Sequence, residues 1–142
     1  MTRRDDDRGF VTTWTVAIAV SIAAILGFTL DAGRVLRARS EAYGDAAAAA
    51  RFGASRLDER VFVAEGRTVI DEAAARQAID EFLEREGVSG HDNFSRTVTI
   101  DELEVTVRIQ HQVDPNMLGV PALDIDVTAS AEAIQVDPAA LP

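Results

Sequence analysis

Between Gly9 and Asp31 the chain reads FVTTWTVAIAVSIAAILGFTL, a run without a single charged residue. At a helical rise of ~1.5 Å per residue, about twenty such residues reach roughly 30 Å, the thickness of a bilayer's hydrocarbon core. Buried helices of soluble domains are usually shorter, and the rest of this chain carries too little apolar mass to wrap a cylinder that is apolar on every side. Residues 10–30 are therefore read as a transmembrane helix. Val, Ile and Thr form helices poorly in water, but in lipid every backbone N–H and C=O must be satisfied within the segment, so the environment overrides propensity. A cleavable secretory signal would need a shorter apolar region, ~7–15 residues, ahead of an Ala-x-Ala-like site. Leu30-Asp31-Ala32 is a poor match to such a site. Ala19, Ala23 and Gly27 recur every fourth residue and form a stripe on which a second helix could pack closely. An Ala-rich span also produces this spacing by chance, and the two readings carry equal weight here.

The remaining residues suffice for one small domain with a modest core, not for a large enzyme. A net charge of -10 argues against sequence-independent nucleic-acid binding, which needs Lys and Arg to replace counterions on phosphates. The absence of cysteine excludes disulfides, thiol catalysis and Cys-ligated zinc. All 14 basic residues are Arg, a bias attributable to GC-rich codons rather than to a physical demand. Residues 1–9 read as a short hydrophilic leader, and Asp5, Asp6 and Asp7 within it as solvated carboxylates rather than a metal site.

Past the span, residues 31–60 contain no Pro and are rich in Ala, Arg, Leu and Glu, so the helix is expected to continue as one rod. Val35, Ala42, Ala46, Ala49, Gly53 and Leu57 give it an apolar face of small residues, while Arg34, Arg37, Glu41 and Asp45 lie on a wet one. Residues 61–70 read as a linker with at most a short strand, interrupted at Glu65-Gly66. Asp71 is a plausible N-cap for an amphipathic helix that buries Ala75, Ala78, Ile79, Phe82 and Leu83 and stops at Gly87.

After a loop at residues 89–93 the apolar period changes to two. Val98 and Ile100 mark one strand, and Leu103, Val105, Val107 and Ile109 a second, with Asp101-Glu102 at the turn between them. Asp114-Pro115-Asn116 breaks the second strand, and residues 117–122 form a connection with room for a helical turn. A third strand faces inward with Leu123, Ile125, Val127, Ala129, Ala131 and Ala133, and a shift to Ile134 and Val136 suggests a bulge. The fold class is α+β: a long N-terminal helix, transmembrane and then amphipathic, a second amphipathic helix, and a small antiparallel sheet of about three strands covered on one face. The expected divisions are a leader at 1–9, the span at 10–30, the Ala-rich helix at 31–60, a small domain at 61–137 and a disordered tail at 138–142.

Chemistry-bearing patterns are scarce. His91 falls in a polar loop and His111 at what reads as an outward strand position, with no metal-ligand spacing between them. No phosphate-binding glycine loop, nucleophile elbow or HExxH pattern occurs, Ser130 has no partner, and no pair of carboxylates stands out for acid/base work. The expectation is a non-enzyme without catalytic, cofactor-binding or metal residues.

Several features coincide around the span: Arg8-Gly9 before it, Asp31-x-Gly33-Arg34 after it, Ala38-Arg39 a turn later and the Asp-Ala-rich run at residues 45–50. Together they resemble the N-terminal segment of TadE/TadG-like proteins of the tight-adherence (Flp, type IVb) pilus assembly system. The later VIDEAAARQAIDEFLEREGV and DELEVTVRIQ are similar to the helix and strands of short actinobacterial members. The resemblance implies a pilin-like protein of the plasma membrane with a single pass, the leader in the cytoplasm and residues 31–142 outside. It implies work by helix packing, with the bilayer and other pilin-like membrane proteins as partners and homo- or hetero-oligomers formed through the N-terminal helix. It also points to Gly9 and Phe10 as the leader-cleavage position, although Trp14 stands where prepilin-type substrates commonly carry Glu. The long adhesive domain of the large TadG-type proteins has no counterpart here, which leaves a small, minor-pilin-like component. The alternative is a membrane-anchored envelope protein unrelated to pili. Arginine counts do not orient the span, with Arg3, Arg4 and Arg8 before it and Arg34, Arg37 and Arg39 after it.

Overall fold

A computed structural model describes residues 6–114 and 121–135, with side chains from residue 11 onward. One helix, α1 (Asp6–Ala54), runs through 49 residues, about 73 Å at the helical rise. It begins inside the expected leader and passes through Gly9 and Phe10 without interruption. Its end comes at Ala54, earlier than the anticipated residue 60. There Arg56 N–H bonds the Gly53 carbonyl at 3.0 Å, tightening the last turn, and Leu57 leaves to pair with Ile70 in an isolated antiparallel bridge.

The expected linker is a short helix, α2 (Glu59–Glu65), and this corrects the strand-like reading of VFVA. Asp58 supplies the N-cap, its Oδ1 accepting from Arg60 N at 2.9 Å and Val61 N at 3.3 Å. Gly66, at φ 67°, closes the helix by donating to the Phe62 carbonyl. A cap at each end outweighs β-branched propensity over so short a stretch. The Glu65-Gly66 pair read as an interruption is thus the stop of a helix. None of its residues is buried, and it is held instead by the bonds Asp58 N to Val69 O and Asp71 N to Arg56 O, both 2.8 Å.

The helix α3 (Glu72–Arg85) matches its sequence pattern. Asp71 Oδ1 accepts from Ala74 N at 3.0 Å, Ala75, Ala78, Ile79, Phe82 and Leu83 are buried, and Gly87 takes the left-handed conformation just beyond. A short 3-10 turn, Val88–Gly90, opens the following loop.

Three strands, β1 (Ser95–Ile100), β2 (Glu104–Val113) and β3 (Leu123–Glu132), form an antiparallel sheet in the order β1-β2-β3. In its register Val98 faces Val107, Ile109 faces Val127 and His111 faces Ile125. Leu103 lies in the turn with Asp101 and Glu102, half-buried against the core. Val105, Val107, Ile109, Ile125, Val127 and Ala129 point to the core, as the period-two pattern predicts. Leu123, expected to face inward, is 40% exposed at the strand's start. No bulge is needed at the other end: Ala133 stays buried, its N–H bonded to the Leu103 carbonyl, and Ile134 points to solvent at 82% exposure. The expected break at residues 114–116 and the helical turn at 117–122 fall mostly outside the described residues, as do Val136 and the tail.

Both long helices cover the same sheet face. Ala42, Ala46, Ala49, Ala50 and Ala54 of α1 are buried there. At Gly53 the approach is so close that a Cβ would lie 2.8 Å from Ile79 Cδ1 and 3.2 Å from Val105 Cγ1. At the rim of this contact Phe52 stacks on Phe82 with the Arg85 guanidinium over both rings. The opposite sheet face is polar. There Arg108 pairs with Asp126, Gln110 donates to Asp126 at 3.1 Å, and Gln112 donates to Asp124 at 2.7 Å. The Arg108 hydrogen bonds, chiefly, hold the Asp126 carboxyl down to about 2.

Candidate functional site

Three places on this frame hold residues whose environment departs from that of an ordinary surface or core. The first is the N-terminal part of α1. From residue 11 to residue 30 every side chain is exposed except Gly27, which is half-buried. The exposed set includes Trp14, Ile18, Ile22, Ile25, Leu26, Phe28 and Leu30. The hydroxyls in this stretch turn back onto the helix: Thr15 Oγ1 donates to the Val11 carbonyl at 2.9 Å, Ser21 Oγ to Ala17 and Thr29 Oγ1 to Ile25, both at 2.8 Å. These three hydroxyls are thereby satisfied by their own helix, which is compatible with an apolar surrounding. Among the described residues this is the one helix long and apolar enough to cross a membrane. Ala19, Ala23 and Gly27 lie on it in the open, with nothing within 4 Å of where a Gly27 Cβ would sit.

The second place is the junction just after this stretch. Asp31 is 6% exposed, and neither carboxylate oxygen has a hydrogen-bond partner. Its ionic neighbour is Arg34, one turn on, whose Nη1 lies 3.6 Å from Oδ1. Gly33 lies in open space. The motif residues taken from the resemblance thus divide into a buried acid, a spacer and an exposed base.

The third place was missed in the sequence. His111, read as outward, is 5% exposed and points into the core, which corrects that expectation. The signal was present: His111 shares the parity of Val105, Val107 and Ile109, so the alternation that buries those three buries it too. Its ring lies 5.0 Å from that of His91, centroid to centroid, at a 42° tilt. His91 Nδ1 is 2.8 Å from the Val88 carbonyl oxygen, which assigns the proton to that nitrogen. Asp45 of α1, expected on a wet face, is half-buried and interacts electrostatically with both rings. Burial first, then Glu86 and Glu41, push its carboxyl up from the usual range, against the pull of the two histidines. Burial and the neighbouring His91 push His111 down. Among the described residues no group of three or more His, Asp or Glu is disposed to hold a metal ion.

The described surface also carries open depressions. One, of about 760 Å³, lies at the β1–β2 turn and is lined by Asp101, Glu102, Leu103, Glu104 and Glu132, with the Arg67 guanidinium 4.0 Å from Glu102. A second, of 420 Å³, lies between Leu36, Arg39 and Tyr43 of α1 and Asp126 and Thr128 of β3. Comparison of the chain with protein-family models, curated proteins and solved structures gave no match.

Proposed function

We propose that this chain is a single-pass membrane protein that acts by helix packing and protein–protein binding, and not by catalysis. The observation that carries this reading is the exposure of residues 11–30 on all sides of α1, together with the hydroxyls of Thr15, Ser21 and Thr29, which bond the helix's own carbonyls. In water such a surface would drive association, since monomeric soluble proteins rarely expose apolar patches beyond a few hundred Å². In lipid it is matched. The resemblance of residues 8–50 to TadE/TadG-like proteins supports the finer reading: a minor pilin or assembly component of a Tad-type pilus, with residues 31–142 outside the cytoplasm. The span would hold the subunit in the bilayer while its Ala19, Ala23 and Gly27 stripe docks against other pilin-like helices.

Single cysteines at Thr2→Cys and Ser89→Cys, probed on intact cells with a membrane-impermeant maleimide, test the arrangement. Labelling at position 89 and not at position 2 is expected. The reverse pattern would leave the domain in the cytoplasm and end the pilus reading. Replacing Ala19 and Gly27 together by Leu keeps the segment apolar but bulks the stripe, so insertion survives while co-purification of pilin-like partners falls. Unchanged recovery would make the stripe incidental.

A further inference from the structure

We propose that His91 and His111 form a proton-operated latch: while neutral, the stacked rings hold the 88–93 loop against one end of the core, and protonation drives the loop away.

The geometry behind this starts with His111. Its Nδ1 is buried and has no hydrogen-bond partner. A neutral imidazole tolerates one bare nitrogen, whereas an imidazolium must donate from both, so charging this ring leaves a buried donor unpaired as well as desolvating a cation. His91 covers the ring from the loop side and is pinned to that loop by its Nδ1–H bond to Val88. Val88 is itself 3% exposed, and Gly87 before it holds φ at 72°, so displacing the His91 ring displaces the turn that carries it. Two cations at this separation repel each other, and the loop is the part free to move. To the sheet it is tied by Gln112 N to the Asp92 carbonyl at 3.1 Å and by the Asn93–Gln112 side-chain bond, while Gly90 N to Gly87 O, His91 N to Val88 O and Phe94 N to His91 O close it on itself.

The charged groups facing the pair come from each neighbouring element. From α1 come Asp45 and, beside it, Glu41; from the end of α3 comes Glu86, which faces Asp45. Across the register β3 offers Ile125, while Asp124 and Asp126 bond Gln112 and Arg108 on the other sheet face. Asp45 favours a charge on His111, while burial and a charge on His91 oppose it. The sign follows from linkage. His111 is lowered in the folded protein, so below its unfolded value of about 6.5 the open state binds more protons, and closure weakens as pH falls. Asp45 is raised, so its contribution is present at acid pH and lost as pH rises, opposite to the effect proposed.

Hydrogen exchange on the full chain in lipid nanodiscs, corrected for intrinsic rates, tests the latch between about pH 7.5 and about pH 5. Protection over residues 88–94 and 110–113 is expected to fall about tenfold at the acid end, while α3 and residues 104–109 hold theirs. His111→Phe, which keeps a ring in the stack, should retain protection at neutral pH and abolish the acid response. His91→Phe, at an exposed position, should at least halve the response and serves if the first variant does not fold. A loop indifferent to pH, a loss spread evenly over the domain, or an acid response unchanged in the variants would overturn the proposal.

Discussion

The two ends of α1 are built from opposite materials. Residues 11–30 hold most of the large apolar side chains of the helix, among them Trp14, Ile18, Ile22, Ile25 and Phe28, and these are half or more exposed. The C-terminal part, which has Ala at 42, 46, 49, 50 and 54, holds the smallest, and these are buried to 4% exposure or less. Were burial driven by hydrophobicity alone, the order would be reversed, because each buried CH₂ contributes roughly 0.8 kcal/mol. What separates the two is the neighbour each end is shaped for. Small side chains let α3 and the sheet approach the helix axis, as at Gly53, and the larger apolar groups of the partners, Ile79 and Val105, fill the space. At the other end the large apolar side chains stand exposed to either side of the small stripe at Ala19, Ala23 and Gly27, and no other element of the described residues covers them.

The largest expected effect separates the two ends by the same chemical change. Ile79→Ala removes a fully buried side chain and should destabilise the domain by about 2–5 kcal/mol, read from denaturant dependence of amide exchange at Val107. Ile22→Ala, at a 54% exposed position, should leave that quantity unchanged. If the two variants lost equal stability, residues 11–30 would be packed against protein. Next comes Ala23→Arg, which should cost about 2.5–3.5 kcal/mol of insertion free energy at mid-span and shift the protein out of an alkali-resistant membrane pellet, while the domain keeps its exchange protection. Normal insertion of this variant would count against the assigned span.

A finer comparison uses two glycines of the one helix. Gly53→Ala places a methyl against Ile79 and Val105; overpacking of about 1–3 kcal/mol exceeds the helix-propensity gain of roughly 1 kcal/mol, so the domain should lose up to about 2 kcal/mol. Gly33→Ala meets nothing within 4 Å and should gain stability, by up to about 1 kcal/mol. Equal signs at the two positions would remove the contrast between a packed and an open stretch of α1. The smallest effect concerns α2, a helix held by caps rather than by burial. Asp58→Ala should cost about 1 kcal/mol and raise exchange at Arg60 and Val61, leaving the core amides alone.

Where a periodicity runs for several turns or strands, the fold was legible. The inward sets of α3, β2 and β3 follow from spacing alone, because one face of each must meet the core. Legibility failed where a few residues decide. The stretch at residues 61–65 carries β-branched side chains, yet Asp58 and Gly66 cap it as a helix. His111 reads as an outward strand position, but its parity with Val105, Val107 and Ile109 places it in the core, where a ring can be buried neutral. Asp45 reads as part of a wet face of α1, because a helix taken in isolation does not reveal the groups of other elements, Glu86, His91 and His111, that come near it.

By itself, the sequence determined the apolar cylinder at residues 10–30, the rod that continues from it, the amphipathic helix with its Asp71 cap and Gly87 stop, and the alternation of the strands. All are local periodicities that an aqueous or lipid surroundings reads directly. Only the tertiary structure decided that both helices share one sheet face, that Gly53 is the point of closest approach, that Asp31 is buried at the junction, and that two histidines distant in sequence meet at 5.0 Å beside Asp45. Those facts depend on which elements are brought together across long stretches of chain, and spacing along a single element does not encode them.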